Sequence, residues 1–203
     1  MVCSNCKQEG HTKAKCQNPK YEPPLVVEEP GFPIILQDDV RVKMSRLSSL
    51  CLEVASNLGK GQVEGVYQQA LGFELQDAGI KHVLEETIPI LYKGRPVGGG
   101  HFLRIDIILS NYLPFIFELK AISKITSFNH WQLVRYMTYK GINLGAVVNF
   151  NQSERGPLEI HFVVYHEGNH YLYDIEKQTG SRLADFSLKP IKDDQEGWEE
   201  AWE

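Results

Sequence analysis

The first part of the chain carries apolar residues at the spacing of helix faces. Between Asp38 and Leu58 they recur mostly three or four positions apart, and an acidic residue at the start can cap a helix. A second helical pattern runs over residues 63–78 and ends at Gly79. Gly59 separates the two patterns, so we predict two consecutive helices.

Later segments are rich in β-branched and aromatic residues, which is typical of buried strands. A third helix is predicted in this region over residues 127–140, before Gly141. The order of elements predicts an α/β domain in which helices flank a mixed central sheet. The predicted strands are 82–92, the hairpin 102–109 and 113–121, then 144–149, and the hairpin 158–166 and 170–175.

Cysteine, proline and charge divide the chain into four predicted regions. Residues 1–18 form a cysteine-rich unit, residues 19–37 a proline-rich linker, residues 38–178 the α/β domain and residues 179–203 an acidic tail. The prolines favour an extended, stiff spacer. The last eleven residues carry six acidic and no basic side chains. This indicates a solvated end, or a segment that docks a protein partner or blocks a site.

The net charge of the 203-residue chain is −5, although residues 1–20 carry +3 (four basic minus one acidic side chain). An acidic balance argues against a protein that coats nucleic acid through bulk electrostatics. It is compatible with an enzyme that gathers carboxylates around metal ions. No apolar run is long enough to span a membrane and no secretory leader is recognisable. We therefore expect an intracellular protein, cytoplasmic or nuclear, or a virion component.

Charged side chains occur in two strands that are otherwise apolar. Asp106 lies in the first strand of a predicted hairpin, and Glu118 and Lys120 lie in the second. Because side chains alternate along a strand, Glu118 and Lys120 share a face, and strand pairing brings Asp106 beside them. Two carboxylates suit Mg²⁺ or Mn²⁺, and a neighbouring lysine can orient an attacking water. A salt bridge on an edge strand is the alternative interpretation.

The start of the second helix and the strand motif together resemble a known family. Residues 58–71, LGKGQVEGVYQQAL, resemble the signature of the GxxExxY proteins, a branch of the PD-(D/E)XK nuclease superfamily. This resemblance implies a restriction-endonuclease-like core. It covers roughly residues 45–151 and includes, in order, Asp106, Glu118, Lys120, Gln132, Tyr136 and residues 145–150.

The resemblance also implies a reaction and roles for individual side chains. Glu64, Asp106 and Glu118 would bind Mg²⁺ or Mn²⁺. Lys120 would be the catalytic lysine, and Gln132 would face the site. The expected activity is metal-dependent hydrolysis of phosphodiester bonds in DNA or RNA. The alternative is a non-catalytic nucleic-acid-binding or structural protein, of a nucleoprotein or a virion, that reuses the nuclease fold.

Three further side chains have two interpretations each. Arg104 shares a strand face with Asp106, so it either contacts phosphate or forms a structural ion pair. Tyr67 lies on the same helix face as Glu64, and Tyr136 has a similar place on the third helix. Each tyrosine either supports a neighbouring site residue or packs in the core, and packing is favoured.

Cysteines and a histidine near the N-terminus have the spacing of a zinc knuckle, C-x2-C-x4-H-x4-C. Three thiolates and one imidazole close a tetrahedral Zn²⁺ site, and the metal supplies the folding energy of so short a unit. The unit resembles the CCHC knuckle of nucleocapsid and RNA-processing proteins, with docking of a protein partner as the alternative function. The predicted zinc ligands are Cys3, Cys6, His11 and Cys16, and the predicted nucleic-acid-binding lysines are Lys7, Lys13 and Lys15.

Overall fold

A computed structural model of the protein describes residues 31–93, 95–97, 102–153 and 156–183. The predicted zinc knuckle, with its metal ligands and its three lysines, lies outside the described residues. In the described part of the chain, no helix is both long enough and apolar enough to cross a membrane.

Three helices occupy the positions that the apolar pattern predicts. They are α1 (Asp38–Leu58), α2 (Glu64–Asp77) and α3 (Ser127–Lys140). Two aspartates in the first turn of α1 interact favourably with the helix dipole. Thr126 and Asn129 form a capping box at the start of α3, and Gly141 ends that helix in the left-handed conformation (φ 63°).

Ten strands alternate with or follow the helices in the described domain. They are β1 (Phe32–Pro33), β2 (His82–Pro89), β3 (Leu91–Tyr92), β4 (Arg95–Pro96), β5 (Phe102–Leu109), β6 (Phe115–Lys120), β7 (Leu144–Asn149), β8 (Glu159–His166), β9 (Asn169–Asp174) and β10 (Thr179–Arg182). Eight of them form a mixed sheet in the order β1-β10-β9-β8-β7-β6-β5-β2. Strands β6 and β7 are parallel and are connected by α3, while the other neighbours are antiparallel. The two short strands β3 and β4 pair separately.

The helices cover both faces of the sheet. Leu47 of α1 and Leu71 of α2 are buried in one core with Phe117 of β6. Leu133 of α3 is buried in a second core with Val147 of β7. This three-layer arrangement agrees with the predicted α/β fold, in which helices flank a mixed sheet.

The predicted strand over residues 82–92 is divided in the structure. Strand β2 ends at Pro89, and Leu91–Tyr92 turns away to pair with Arg95–Pro96. Proline has no backbone N–H to give to a sheet ladder, which favours a strand end at this position.

The domain extends beyond both boundaries that the sequence predicted. Residues 31–37, assigned to the linker, contain β1, and Ile34 after it is only 1% exposed in the core. Residues 179–182, assigned to the acidic tail, form β10, which pairs with β1 and β9. Neither segment has an apolar pattern that predicts a strand. Each forms a strand because it pairs with the other, about 147 residues away in the chain.

Ile34 and Ile35 provide a matched test of this extension. Replacing Ile34 by alanine is expected to lower the free energy of unfolding by roughly 2–4 kcal/mol, since a buried side chain leaves a cavity. Ile35 is 85% exposed, so Ile35→Ala should change the free energy of unfolding by less than about 0.5 kcal/mol. Urea denaturation measures the free energy of unfolding of both variants, and equal effects would contradict the packing of residues 31–37 against the sheet.

Candidate active site

The regular alternation of side chains along β5 breaks at Asp106. Ile105 is buried on the α3 side of the sheet, whereas Ile107 is buried on the side of α1 and α2. Residues two apart in a strand normally share a face. On β2, at the position facing Asp106, Glu85 has φ 55°, a conformation that non-glycine residues rarely adopt. The break in alternation thus coincides with the residue whose side chain bonds to the backbone of the next strand, β6.

Strands β5 and β6 separate next to this break. Their ladder ends at the pair Ile107↔Phe117, and the backbone N–H of Leu119 then donates to Oδ2 of Asp106 at 2.7 Å. The carboxylate therefore takes the place of a backbone acceptor in the opening between the two strands. Only 6% of Asp106 is exposed.

Glu118 and Lys120 line the same opening from β6. Glu118 is fully buried, and its Oε1 accepts a hydrogen bond from Nζ of Lys120. The ammonium also donates to the backbone oxygen of Leu119 at 2.8 Å and lies 3.7 Å from Oε2 of Glu64. The second oxygen of Glu118, Oε2, is buried and has no hydrogen-bond partner among the residues that the structure describes.

Burial shifts the ionisation of these groups. Burial, together with the negative charge of Asp106, raises the pKa of Glu118 to about 8. Burial also raises the pKa of Asp106 to about 6, against the Leu119 N–H and the Lys120 charge, which lower it. For Lys120, burial alone would lower the pKa, but Glu118 and Glu64 outweigh it and raise the pKa. The opening therefore holds carboxylates whose ionisation is costly without a cation.

The loop before α2 places Glu64 at the rim of the site. Gly59 and Gly61 have φ values of 65° and 91°, in the region that glycine adopts without strain. The hydroxyl of Tyr67 donates to the backbone oxygen of Gly59 at 2.8 Å, and its ring stacks on Phe150 at 4.3 Å. Tyr67 thus packs, as favoured from the sequence, and it anchors the loop from which α2 begins.

Gln68 is a site residue that the sequence analysis did not single out. Its Nε2 donates to the backbone oxygen of Asp106 at 2.9 Å, and the residue is 7% exposed. Gln68 follows Glu64 by four residues, so both lie on one face of α2. Helical spacing from Glu64 was the signal that could have identified it.

Helix α3 approaches the carboxylates through Tyr136 rather than through Gln132 directly. The Gln132 side chain donates to the Tyr136 hydroxyl at 3.1 Å. Tyr136 is 4% exposed, and burial raises the pKa of its hydroxyl, with smaller upward contributions from Glu118 and Asp106. Gln132 is thus linked to the site through the Tyr136 hydroxyl. Tyr136 is the residue of α3 that we count as part of the candidate site.

Arg104 forms the structural ion pair that was one of its two interpretations. Its guanidinium lies 3.4 Å from Oε1 of Glu85, and both side chains are more than half exposed. Its charge also contributes to lowering the Asp106 pKa. Contact of Arg104 with phosphate, the other interpretation, stays a prediction.

The donor set fits a hard divalent cation in part. Asp106 and Glu118 present oxygen ligands, and the unpartnered Oε2 of Glu118 is the group that a bound cation would satisfy. Among the residues that the structure describes, no three His, Cys, Asp or Glu side chains form a metal-binding group. Lys120 lies between Glu64 and Glu118 instead, so the role of Glu64 as a third metal ligand stays a prediction.

Comparison with known proteins identifies the domain. A family model for the PD-(D/E)XK nuclease superfamily matches residues 42–160, more than half of the chain. The matched segment contains all of the site residues described above. Comparisons with curated proteins and with solved structures return no match.

Proposed function

Because this chain belongs to the PD-(D/E)XK nuclease superfamily, we propose that it is a divalent-metal-dependent nuclease whose active site is the opening between β5 and β6. The observation that carries the proposal is the buried, unpartnered Oε2 of Glu118 next to Asp106. A nuclease of this type hydrolyses phosphodiester bonds. Within the superfamily we place it in the GxxExxY branch, on the motif formed by Gly61, Glu64 and Tyr67.

Asp106 and Glu118 would hold Mg²⁺ or Mn²⁺, which prefer carboxylate oxygens and keep positions for water and phosphate. The cation would supply Lewis acidity and an activated water. The Leu119 N–H and the Gln68 side chain orient Asp106 for this task. Glu64, on the other side of Lys120, would complete the acidic set when a cation is bound.

Lys120 is the residue that we assign to transition-state stabilisation. Its ammonium is held by the Leu119 carbonyl, Glu118 and Glu64, so its position is fixed before substrate arrives. A preorganised positive charge offsets the negative charge that develops on the phosphate during attack. Gln132 and Tyr136 would orient the substrate or the attacking water from α3.

Removal of metal tests the proposed activity. We expect the full chain to cut labelled DNA or RNA in Mg²⁺ or Mn²⁺, to lose all cutting in excess EDTA, and to regain it when the metal is restored. Single- and double-stranded forms of both nucleic acids serve as substrates. If none is cut in either metal while nucleic acid is still bound, the domain is a non-catalytic binding protein.

We further propose that residues 1–18 bind structural Zn²⁺ through Cys3, Cys6, His11 and Cys16 and hold nucleic acid through Lys7, Lys13 and Lys15. The support is the ligand spacing in the sequence, since these residues lie outside the described part. One zinc per purified chain is expected, and none in Cys6→Ser. An equal zinc content in both would contradict the knuckle.

A further inference from the structure

Helix α3 carries a stripe of exposed side chains of unusual composition. Phe128 is 70% exposed and Tyr139 is 43% exposed, and Arg135 between them is exposed as well. At 3.6 residues per turn these three side chains lie within about 20° of one line along the helix. They span roughly 16 Å. We call Phe128, Arg135 and Tyr139 the α3 stripe.

The α3 stripe adjoins the active site around the circumference of the helix. Gln132 lies about 40° from the line of the stripe, and Tyr136 lies about 80° from it in the same direction. Exposure falls along this path, from Phe128 through half-buried Gln132 to Tyr136 at 4%. A nucleic-acid strand bound on the α3 stripe would therefore lie beside Gln132 and Tyr136, and so close to the carboxylates of Asp106 and Glu118.

The charge of α3 also differs from that of its neighbours. Among the helices that the structure describes, α3 is the one without an acidic residue, and it carries Arg135 and Lys140, of which Lys140 is paired with Glu86 of β2. Helix α2 carries Glu64, Glu74 and Asp77 and no basic residue. In a chain with net charge −5, this absence of carboxylates favours a polyanion on α3 over the other helices.

We propose that the α3 stripe binds single-stranded nucleic acid, with unpaired bases stacked on Phe128 and Tyr139 and a phosphate held by Arg135. Aromatic rings stack on base faces, which are exposed in a single strand and covered by neighbouring bases in a duplex. The proposal rests on the proposed nuclease function and names its substrate class: the enzyme cuts single strands, or unpaired regions, in preference to duplex.

The test measures binding without cleavage, so that it does not depend on catalysis. The full chain in EDTA is titrated into oligonucleotides of about 15 residues that carry 2-aminopurine, as DNA and as RNA. Stacking on an aromatic side chain quenches the fluorescence of this base. Phe128→Ala and Tyr139→Ala should each weaken binding about 5- to 150-fold and reduce the quench, because one stacked base contributes about 1–3 kcal/mol.

Matched variants on other helices provide the controls. Phe73 on α2 is 66% exposed, and Arg46 on α1 is exposed too, so Phe73→Ala and Arg46→Ala remove the same side chains elsewhere. Both should bind within about twofold of wild type. Arg135→Ala should weaken binding and reduce the slope of log affinity against log salt by roughly 0.7, the value for one phosphate contact with a single strand.

Three results would overturn the proposal. If the stripe variants bind oligonucleotides and quench 2-aminopurine as strongly as Phe73→Ala does, the α3 stripe is not part of the binding site. Preferential binding and cleavage of duplex by wild type would reject the substrate class and leave the nuclease intact. A change of oligomeric state in Phe128→Ala, without loss of oligonucleotide binding, would make the stripe a contact between copies. Conversely, stripe-dependent binding without metal-dependent cutting would reject the nuclease and keep the stripe.

Discussion

Replacing Lys120 by alanine is expected to slow metal-dependent cleavage by about 10²- to 10³-fold, the usual effect of removing one preorganised group that stabilises transition-state charge. The ammonium is held by Glu118, Glu64 and the Leu119 carbonyl, so the substitution removes a positive charge whose position is fixed by three contacts. The effect is measured as the ratio of the single-turnover cleavage rates of the wild type and Lys120→Ala in Mn²⁺, on the substrate that the wild type cuts fastest.

The fold should survive this substitution. Without the ammonium, the pKa of Glu118 rises further, so the buried carboxyl still keeps its proton at neutral pH and no unpaired charge is left in the core. Lys81 is exposed, and Lys81→Ala serves as the control for the loss of one lysine. If Lys120→Ala cleaves within about threefold of Lys81→Ala, and its melting temperature is unchanged, Lys120 has no part in catalysis.

Replacing Glu118 by glutamine is expected to abolish cleavage and yet stabilise the metal-free protein at alkaline pH. The carboxyl is fully buried beside Asp106, and its pKa is raised from 4.5 to about 8 in the folded state. Glutamine keeps the shape of the side chain but never carries the charge. At pH 8.5 the gain in the free energy of unfolding should reach up to about 5 kcal/mol, since the pKa shift from 4.5 to about 8 corresponds to about 1.4 kcal/mol per unit.

The pH dependence gives this prediction a definite sign. Between pH 4.5 and about 8 the folded protein keeps a proton on Glu118 that the unfolded chain has lost. Stability therefore falls as pH rises through this window, and the full cost is present above pH 8. At pH 5 the variant and the wild type should differ by less than about 1 kcal/mol.

Urea denaturation in EDTA at pH 5 and pH 8.5 measures the effect. Glu53→Gln on α1 is the control, because Glu53 is exposed and its partner Asn57 can still donate to an amide oxygen. Mn²⁺ should stabilise the wild type more at pH 8.5 than at pH 5, since protons compete for the ligands, and should stabilise Glu118→Gln less at either pH. Destabilisation of Glu118→Gln at pH 8.5 would contradict the buried-charge argument.

The chemistry of the site was largely readable from the sequence. Glu118 and Lys120 alternate with apolar residues on one strand, and Asp106 lies on its hairpin partner, so pairing rules alone bring them together. Their convergence in the opening between β5 and β6 agrees with that expectation. The superfamily was predicted from the resemblance of residues 58–71 together with this strand motif, and it is confirmed by the match over residues 42–160.

The sequence could not predict the backbone distortion of β2 and β5 that surrounds Asp106. The broken alternation at Asp106, the left-handed Glu85 on β2 and the contact from Gln68 involve three elements far apart in the chain. Strict alternation would have placed Arg104 beside Asp106, and the structure places it beside Glu85 instead. Backbone strain of this kind has no local sequence signal when the residue is not glycine.

Local patterns alone determined the three helices and most of the strands, because helical and strand periodicities and capping residues act within a few positions. Tertiary structure decided the domain boundaries, since Phe32–Pro33 is ordered by Thr179–Arg182. It also decided that Lys120 lies between Glu64 and Glu118 and that Tyr136 joins the site. These features depend on contacts between distant segments, which become favourable only after the sheet has assembled and excluded water.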